Sequence, residues 1–419
     1  MIRYIVPSWH LAEQFMAEFL YTYRYGLLDL SWWAYLLVTL LWMHITLMGI
    51  TLWFHRDQAH RAIDLHPALA HFFRFWLWLS TGAPTKEWVA VHRKHHAFCE
   101  QDGDPHSPKI FGLKKVLLEG AELYMVDAHK AEVLEKYGKG TPDDWLERNI
   151  YGRFTYFGIA LLVLFDIVMF GAPGIVMLSV QLLTMPVLAA GVINGLCHAR
   201  GYRNFETNDA STNLWPIAIF VAGEELHNNH HAFPTSARFS MRRGEIDMGW
   251  LHIKVLSRLG LVRVRRVAQQ PALEAMPHPV DIDSLRAIMI NRMHVLRHYT
   301  NSVTLPALQR ETSATDGSST ESRIVRSAAR LLRWQPDMLD PASHDRLTQL
   351  IEKYPSFKTV LEYRNELKEL WEGAYTSNEK LLADFREWCA KAEASGIQGM
   401  KDFVEYLRSF RAMSEPALG

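Results

Sequence analysis

The hydrophobic pattern of the first half of the chain predicts membrane-spanning helices. Ser31 to Phe54 is a run of about 24 residues without a formal charge, rich in Leu, Trp and Ile. A helix of that length can cross the hydrocarbon core of a bilayer, which is about 30 Å thick. Two further apolar stretches, Tyr156 to Phe170 and Gly174 to Cys197, are joined by a Gly-Ala-Pro-Gly turn. They predict a membrane hairpin, with a kink at Pro186 in its second helix.

Other apolar segments are too short or too charged to span a bilayer. Residues 1–30 mix aromatic with charged side chains, which favours an interfacial amphipathic helix, with a short span as the alternative. Pro67 to Pro84 has Arg74 within its aromatic run. Only 31 residues separate His60 from His92, so this segment is predicted to leave and rejoin the same membrane surface.

The last third of the chain is charged and helix-prone. Residues 261–323 combine a basic segment with Glu311 to Glu321, a Ser- and Thr-rich stretch typical of a flexible linker. Residues 324–419 predict three or four amphipathic helices with a small core of their own. Between them and the N-terminal segment, residues 31–260 form the predicted membrane domain. Pro216 to Ala222, within that domain, is too short to span. We therefore expect an all-α protein: an integral membrane helical domain with a cytoplasmic helical cap, and a C-terminal helical extension.

Charge and cysteine content narrow the partners and the compartment. The chain has 45 Lys and Arg residues against 45 Asp and Glu, so nothing in the totals argues for a nucleic-acid partner. Its three cysteines form no close pair, which argues against a disulfide framework. No cleavable signal peptide is visible, because Glu13 and Glu18 stand where an apolar core is needed. The basic segment 104–153 is cytoplasmic by the positive-inside rule. We expect an integral inner-membrane protein with its active site on the cytoplasmic side.

Nine of the twenty histidines fall into clusters with the spacing of metal ligands. Two clusters read H-x-x-H-H, which places three imidazoles on one face of a helix. A third reads H-x-x-x-x-H, which parts the two rings on a regular helix and predicts a bend. A further histidine follows Asn194 by one turn. The clustered residues are His55, His60, His92, His95, His96, His198, His227, His230 and His231.

This clustering predicts a metal centre at one membrane boundary, carried by the cytoplasmic cap. Neutral imidazoles are preferred ligands of zinc, copper, nickel and iron. Nine ligands are too many for one metal ion and suit two. The lone histidines elsewhere are better explained as ordinary core or surface residues.

In this order and with the spans between them, the clusters resemble those of the integral-membrane fatty acid desaturases, specifically the bacterial acyl-CoA Δ9 (stearoyl-CoA) type. The resemblance covers about residues 30–260. Asn194-Gly-Leu-Cys-His198 followed by Gly-Tyr-Arg matches the fourth histidine position of the family, and Glu87-Trp88 and Asp104-Pro-His106 bracket the second box. The resemblance implies two iron ions in a non-haem di-iron centre with all nine histidines as ligands. Asn194 would assist through a bound water, and no catalytic residue is expected beyond the ligands.

The resemblance also implies the reaction. The family uses O2 and two electrons to remove a pair of hydrogens from an unactivated CH2–CH2 segment, giving a cis double bond and water. Side chains carry no oxidant for a methylene C–H bond, so a redox metal must supply it. The resemblance implies a desaturase that acts at the Δ9 position of a long-chain acyl-CoA, with an acyl-lipid substrate as the alternative.

Candidate substrate contacts and imidazole partners lie close to the boxes. Four basic residues are candidates to bind the phosphates of CoA: Lys86, Arg93, Arg203 and Arg242. For each of them, solvated surface charge is the alternative. Trp88 is the fifth candidate substrate contact. Ligating imidazoles usually donate their second N–H to a carboxylate or carbonyl. The candidate acceptors, for which helix capping is the alternative, are Asp57, Asp102, Asp104, Glu224 and Glu225.

Electrons are expected from outside the chain. The sequence has no fused haem motif of the cytochrome b5 type, no cysteine set for an iron–sulfur cluster and no glycine-rich flavin motif. A ferredoxin-like or similar carrier with its reductase is therefore the expected partner, together with membrane lipid.

Two other functions compete with desaturation. A histidine-box hydroxylase of the alkane or sterol type would insert oxygen, but such families use other box spacings and the element from Asn194 to His198 argues against them. A non-enzymatic metal transporter or sensor would carry polar residues along several spans. In this chain the candidate ligands gather at one end of the spans instead.

Overall fold

The computed structural model of the chain is almost entirely helical. It describes residues 8–215, 221–268, 271–274, 276–315, 318–373 and 377–411, so most of the apolar segment predicted at Pro216 to Ala222 lies outside the described residues. Across those described ranges, the one sheet consists of two short antiparallel strands, Ile63–Leu65 and Val262–Val264, with Asp64 opposite Arg263. The predicted all-α fold is confirmed.

The chain divides into two compact units. The first comprises the described residues of Met1–Gly201, Leu214–His227 and Pro234–Val267. The second comprises those of Tyr202–Asn213, Asn228–Phe233 and Ala268–Gly419. Two short segments from the middle of the sequence therefore belong to the same unit as the C-terminal extension.

The first unit is a bundle of helices that are interrupted by π-helical turns. Its α-helices are Ser8–Tyr25, Trp32–Gly49, Pro67–Thr81, Thr85–Phe98, Pro108–Phe111, Leu113–Ala128, Ala131–Tyr137, Phe157–Phe170, Ala172–Met185 and Met248–Arg258. Its π-helical segments are Ile50–Ala59, Glu147–Tyr151 and Pro186–Gly195, and Leu196–His198 is a 3-10 turn. The short helix His227–Ala232 begins at the last residue of one segment of this unit.

Two continuous helices are long and apolar enough to cross a membrane. They are Trp32–Ala59, with 28 residues, and Ala172–His198, with 27, whereas Phe157–Phe170 is a shorter apolar helix. Length and composition alone give weak support for a span. The predicted hairpin is present as two helices that meet at Gly171, whose φ of +63° is left-handed and whose Cβ, if added, would lie 2.6 Å from the main-chain nitrogen of Gly26. At Pro186, where a kink was predicted, the second helix passes into its π-helical segment.

The second unit has a helical core made by the C-terminal extension. Its helices are Ile282–Ile290, Arg292–Tyr299, Leu305–Thr315, Ser318–Leu331, Pro341–Lys353, Pro355–Glu372, Asn378–Ala394 and Gln398–Arg408, with a π-helical segment at Thr300–Thr304 and a 3-10 turn at Pro336–Met338. The buried Tyr299 hydroxyl donates to the carbonyl of Val360, and the Trp388 indole N–H donates to that of Tyr363. Tyr299 and Trp388 are thus buried with their polar atoms paired.

In the stretch Glu311 to Glu321, whose composition predicted a flexible linker, the described residues are helical, and residues 316–317 lie outside the described part of the chain. Its residues up to Thr315 continue one helix and those from Ser318 begin the next. The Thr312 and Ser313 hydroxyls donate to main-chain carbonyls of the preceding turn, and the Glu311 carboxylate accepts from the first N–H groups of the helix that begins at Pro355. Small hydroxyl residues therefore support helix here because the helical core holds this segment.

Candidate metal centre

The first two histidine boxes lie on two packed helical segments. Helix Thr85–Phe98 presents His92, His95 and His96 on successive turns, as their spacing predicted. In the π-helical segment Ile50–Ala59, the N–H of His60 donates to the carbonyl of His55 at 3.0 Å. This bond spans five residues, as in the wider π-helical turn. It brings the two rings to a centroid distance of 4.9 Å, so a π-helix replaces the predicted bend.

Four histidines of the first unit form what we call the first ligand group. His55, His60, His92 and His96 each offer a ring nitrogen, and these atoms lie within 4.8 Å of one another. Nε2 of His60 lies 2.8 Å from Nε2 of His92. Burial and the neighbouring imidazoles, first His55 and then His60, lower the pKa of His92 well below its ordinary value. His92 is therefore neutral at pH 7, which is the form that binds a metal ion.

Three further side chains form the second ligand group: His95, Cys99 and His198, whose ligand atoms also lie within 4.8 Å of one another. The Cys99 Sγ is 3.6 Å from Nε2 of His95 and 3.9 Å from Nδ1 of His198. The ring of His227 lies 4.8 Å from that of His198. Cys99 was not a predicted site residue, although its position four residues after His95 places it on the same helical face.

A carboxylate accompanies the Nδ1 atom of three of these imidazoles. The pairs are His55 with Glu224 at 2.7 Å, His95 with Asp104 at 3.0 Å and His198 with Glu100 at 2.6 Å. An imidazole that donates its Nδ1–H to a carboxylate directs the lone pair of Nε2 toward a metal ion. The donor set therefore fits a metal ion that prefers imidazole.

The surroundings of each candidate carboxylate raise or lower its pKa. Burial alone would raise the pKa of Glu224 and of Asp104, but the adjacent imidazoles outweigh it, so both pKa values fall below the usual range. Glu225 is buried without such a partner, and burial raises its pKa to about 8. Asp57, another predicted acceptor, binds the main-chain N–H of Leu65. Asp102, the fifth candidate, is exposed.

The third box lies on the short helix His227–Ala232. His227 belongs to the first unit, while His230 and His231 belong to the second. In the second unit, Nδ1 of His231 lies 3.0 Å from a carboxylate oxygen of Asp209. Asp209 and Glu100 were both missed as imidazole partners. Glu100 stands four residues after the last histidine of the second box, so its proximity to the box was a usable signal, whereas Asp209 stands 22 residues before its partner.

A cavity of about 230 Å³ within the first unit meets the histidines. Its lining includes His55, His92 and His227, together with Asn194. Most of the remaining wall is apolar, with Leu47, Leu182 and Met185 among its members. Such a cavity suits an apolar chain held beside the candidate ligands.

The predicted substrate residues have different surroundings. Trp88 lines the cavity and stacks on His92 at a centroid distance of 4.9 Å. Arg93 donates to the main-chain carbonyls of four residues of the first unit, and Arg203 donates to carbonyls within the second unit and is 2% exposed. Their donors are engaged in holding the fold. Lys86 is exposed and Arg242 is half-buried.

Comparisons of the sequence with known proteins point to one enzyme family. A family model described as fatty acid desaturase matches residues 30–243. Delta-9 acyl-lipid desaturase 1 of Arabidopsis thaliana is 34% identical over 55% of this chain and 74% of its own length. The sn-1 stearoyl-lipid 9-desaturase of Synechocystis sp. is 33% identical over 58% of this chain and 75% of its own length. An acyl-CoA C20 Delta5-desaturase of Anemone leveillei is 34% identical over 55% and 73%.

The fold and the histidine groups define an almost entirely helical protein that could hold metal ions. The chain belongs to the fatty acid desaturase family. The prediction of a desaturase is confirmed at that level, and the family is generally iron-dependent. Family membership and the two long apolar helices are consistent with a membrane protein. A second family model, described as transposase, matches residues 285–413, a region for which the sequence alone indicated no counterpart.

Proposed function

We propose that this desaturase introduces a cis double bond at the Δ9 position of a long-chain acyl group with a histidine-ligated di-iron centre. The reaction consumes one CH2–CH2 segment, O2, two electrons and two protons, and gives the alkene and two water molecules. The observation that carries the proposal is that His55, His92 and His227 line an apolar cavity. Bound iron supplies the oxidant that side chains lack.

The protein's own residues orient the ligands and position the substrate. Glu224, Asp104 and Glu100 hold the imidazoles of His55, His95 and His198 by their Nδ1 atoms. The apolar wall excludes water from the acyl chain. Trp88, stacked on His92, fixes the position of the acyl chain in the cavity. Preorganised ligands and a shaped, dry cavity are what selective attack on one methylene pair requires.

The ligand assignment that we propose follows the histidine boxes. All nine clustered histidines serve as iron ligands, with Asn194 acting through a bound water. His230 and His231 enter this set through the spacing of the third box. The carboxylate beside Nδ1 of His231 supports its inclusion, since it repeats the pattern of the first unit.

We propose acyl-CoA as the substrate, with Lys86 and Arg242 as the remaining basic candidates for its phosphates. An acyl-lipid is the second candidate, because Arg93 and Arg203 donate to main-chain carbonyls and because two of the relatives are named as lipid desaturases. Assays of the purified protein with stearoyl-CoA and with stearoyl phospholipid in vesicles separate these substrates.

We further propose an external electron donor and a cytoplasmic active site in the inner membrane. The donor is a ferredoxin-like or similar carrier with its reductase, a proposal that rests on the lack of a haem, iron–sulfur or flavin motif in the printed sequence. Turnover of the purified protein that needs no added carrier would contradict it.

The test of function is fatty acid analysis in a desaturase-deficient host. Cells that express the chain are compared with cells that express His92→Ala, and His344→Ala, an exposed histidine of the extension, serves as the matched control. We expect a new cis double bond, located by mass spectrometry, with the native chain and the control but not with His92→Ala. A hydroxylated product would favour the hydroxylase instead. No new product in iron-replete cells with a competent donor would overturn the proposal.

A further inference from the structure

The second unit contains a loop that connects one proposed ligand to the C-terminal extension. This loop, Tyr202–Asn213, and the segment Asn228–Phe233 form one compact unit with the extension. One carboxylate oxygen of Asp209, a residue of this loop, lies 3.0 Å from Nδ1 of His231. The other oxygen accepts from the Ser211 main-chain N–H at 2.9 Å and from the Thr207 hydroxyl at 2.7 Å. The carboxylate that faces His231 is therefore fixed by the loop.

Arg203 holds the loop in shape and joins it to the extension. Its guanidinium donates to the carbonyls of Asp209 and Ser211, each at 2.8 Å, and its Nε donates to the carbonyl of Arg333 at 2.8 Å. The guanidinium also lies over the ring of Trp334, 4.3 Å from its centroid. One buried side chain thus spans the loop and the extension.

Glu206 makes a second connection between the same two elements. Its carboxylate, almost fully buried, pairs with Arg364 and accepts from the Lys368 ammonium at 3.0 Å. The half-buried Gln335 donates from its amide to Asn208 at 2.8 Å and accepts from Lys368. A buried carboxylate of this kind is stable only while its cations remain in place, so this contact specifies the position of the loop.

We propose that the C-terminal extension is a positioning domain for the proposed iron ligand His231. Glu206 and Arg203 are the positioning residues that transmit its support, and Asp209 orients the imidazole. Arg333, Trp334, Gln335, Arg364 and Lys368 all lie outside residues 30–243 that match the desaturase family model, so this support is an addition to the matched region. The inference rests on the proposed function, because it takes His231 to be a ligand.

The test measures the affinity of the purified full-length protein for Fe²⁺ by competition with a chelator, well below the unfolding temperature. Replacing a residue that orients a ligating imidazole typically weakens metal affinity about 10- to 100-fold. We expect a loss of about tenfold in Glu206→Gln and Arg364→Met, and of up to about 100-fold in Asp209→Asn. Lys391→Met, which breaks an exposed ion pair with Glu366 in the same extension, should bind Fe²⁺ as the native chain does.

The outcomes separate this inference from the proposed function. Native Fe²⁺ affinity in Glu206→Gln and Arg364→Met, alongside weakened affinity in Asp209→Asn, would overturn the positioning role and leave the ligand assignment standing. Native affinity in His231→Ala would overturn both. If Arg364→Met fails to fold, Glu206→Gln and Gln335→Leu decide, since the first keeps the shape of the side chain and the second removes the hydrogen bond to Asn208 at a half-buried position without breaking the buried ion pair.

Discussion

Carboxylates lie beside the Nδ1 atoms of three clustered histidines of the first unit and would orient these imidazoles as metal ligands. Glu224 pairs with His55, whereas the adjacent Glu225 is buried without a hydrogen-bond partner for Oε2 among the described residues. The two acids thus differ in their surroundings while they stand side by side in the sequence. The pKa of Glu225, raised to about 8 by burial, means that its carboxyl is mostly protonated at pH 7.

Glu224→Gln is expected to weaken iron retention about 10- to 100-fold, because the charged acceptor of the His55 N–H is lost. Glu225→Gln is the matched control, since an amide closely replaces a protonated carboxyl in shape and charge. Iron content after a timed chelator challenge measures both. Equal losses in the two variants would contradict the role assigned to Glu224.

A buried histidine of the second unit is expected to make folding sensitive to acid. His294 stacks on Phe233 and meets Phe205 edge-on, and burial, followed by the charge of Arg297, lowers its pKa to about 4. The unfolded chain therefore takes up this proton first. The stability that neutral His294 contributes is present above pH 6.5 and is lost as the pH falls toward 4.

The expected loss of unfolding free energy is about 3 kcal/mol over that range. Chemical denaturation at pH 7, 5.5 and 4 measures it. His294→Leu should reduce the acid sensitivity, while replacement of the exposed His344 should leave it unchanged. A pH profile that His294→Leu does not alter would contradict the assignment.

The residues that sequence predicts well are those whose relation is local. The spacing of His92, His95 and His96 within one helix predicted their common face, and Asp104 and Glu224 were candidates through proximity to a box. Asp209 was not predictable in this way, because its contact with His231 depends on how a distant loop folds. The surroundings of Arg93 and Arg203 also depend on tertiary packing, since their partners are main-chain carbonyls.

At the scale of elements, both long apolar helices contain a π-helical segment near their C-terminal ends, at or beside candidate site residues. Ile50–Ala59 delivers His55 and His60, and Pro186–Gly195 delivers Asn194 just before His198. A π-helical turn inserts an extra residue and changes which side chains share a face, and such turns are frequent at functional sites. The spacing of His55 and His60 indicated an irregular helix at the first π-helical segment, and Pro186 indicated one at the second. Neither feature of the sequence predicted a π-helix.

Helix packing in the first unit depends on Gly158. A Cβ at this position of helix Phe157–Phe170 would lie 2.4 Å from the Trp78 carbonyl oxygen, in helix Pro67–Thr81. Since that atom belongs to the main chain, Gly158→Ala must push the helices apart. We expect a loss of about 1–3 kcal/mol in unfolding free energy.

Denaturant unfolding in detergent micelles measures that loss. Ala160→Leu, at an exposed position of the same helix, controls for added bulk and should leave stability nearly unchanged. If Gly158→Ala is as stable as the native chain, the close packing of these two helices is not a source of stability.

At the scale of the whole chain, a family match to desaturases and a match to a transposase model cover different residues. The sequence anticipated a separate helical extension, since its amphipathic pattern is distinct from the apolar runs of the first half. It did not anticipate that Tyr202–Asn213 folds with that extension. Whether a segment folds with the extension depends on buried ion pairs between residues that are far apart in the sequence. No local sequence pattern predicts such pairs.

The cytoplasmic orientation that we propose rests on the basic segment 104–153 and is open to direct measurement. All three native cysteines are buried, so the native protein should label weakly with a membrane-impermeant maleimide. In intact host cells we expect Ala172→Cys, at the exposed turn of the hairpin, to be labelled from outside. Glu135→Cys, exposed in the basic segment 104–153, should be labelled only after permeabilisation because that segment is predicted to face the cytoplasm. The opposite pattern would reverse the orientation, and labelling of both variants in intact cells would contradict a hairpin that crosses the membrane.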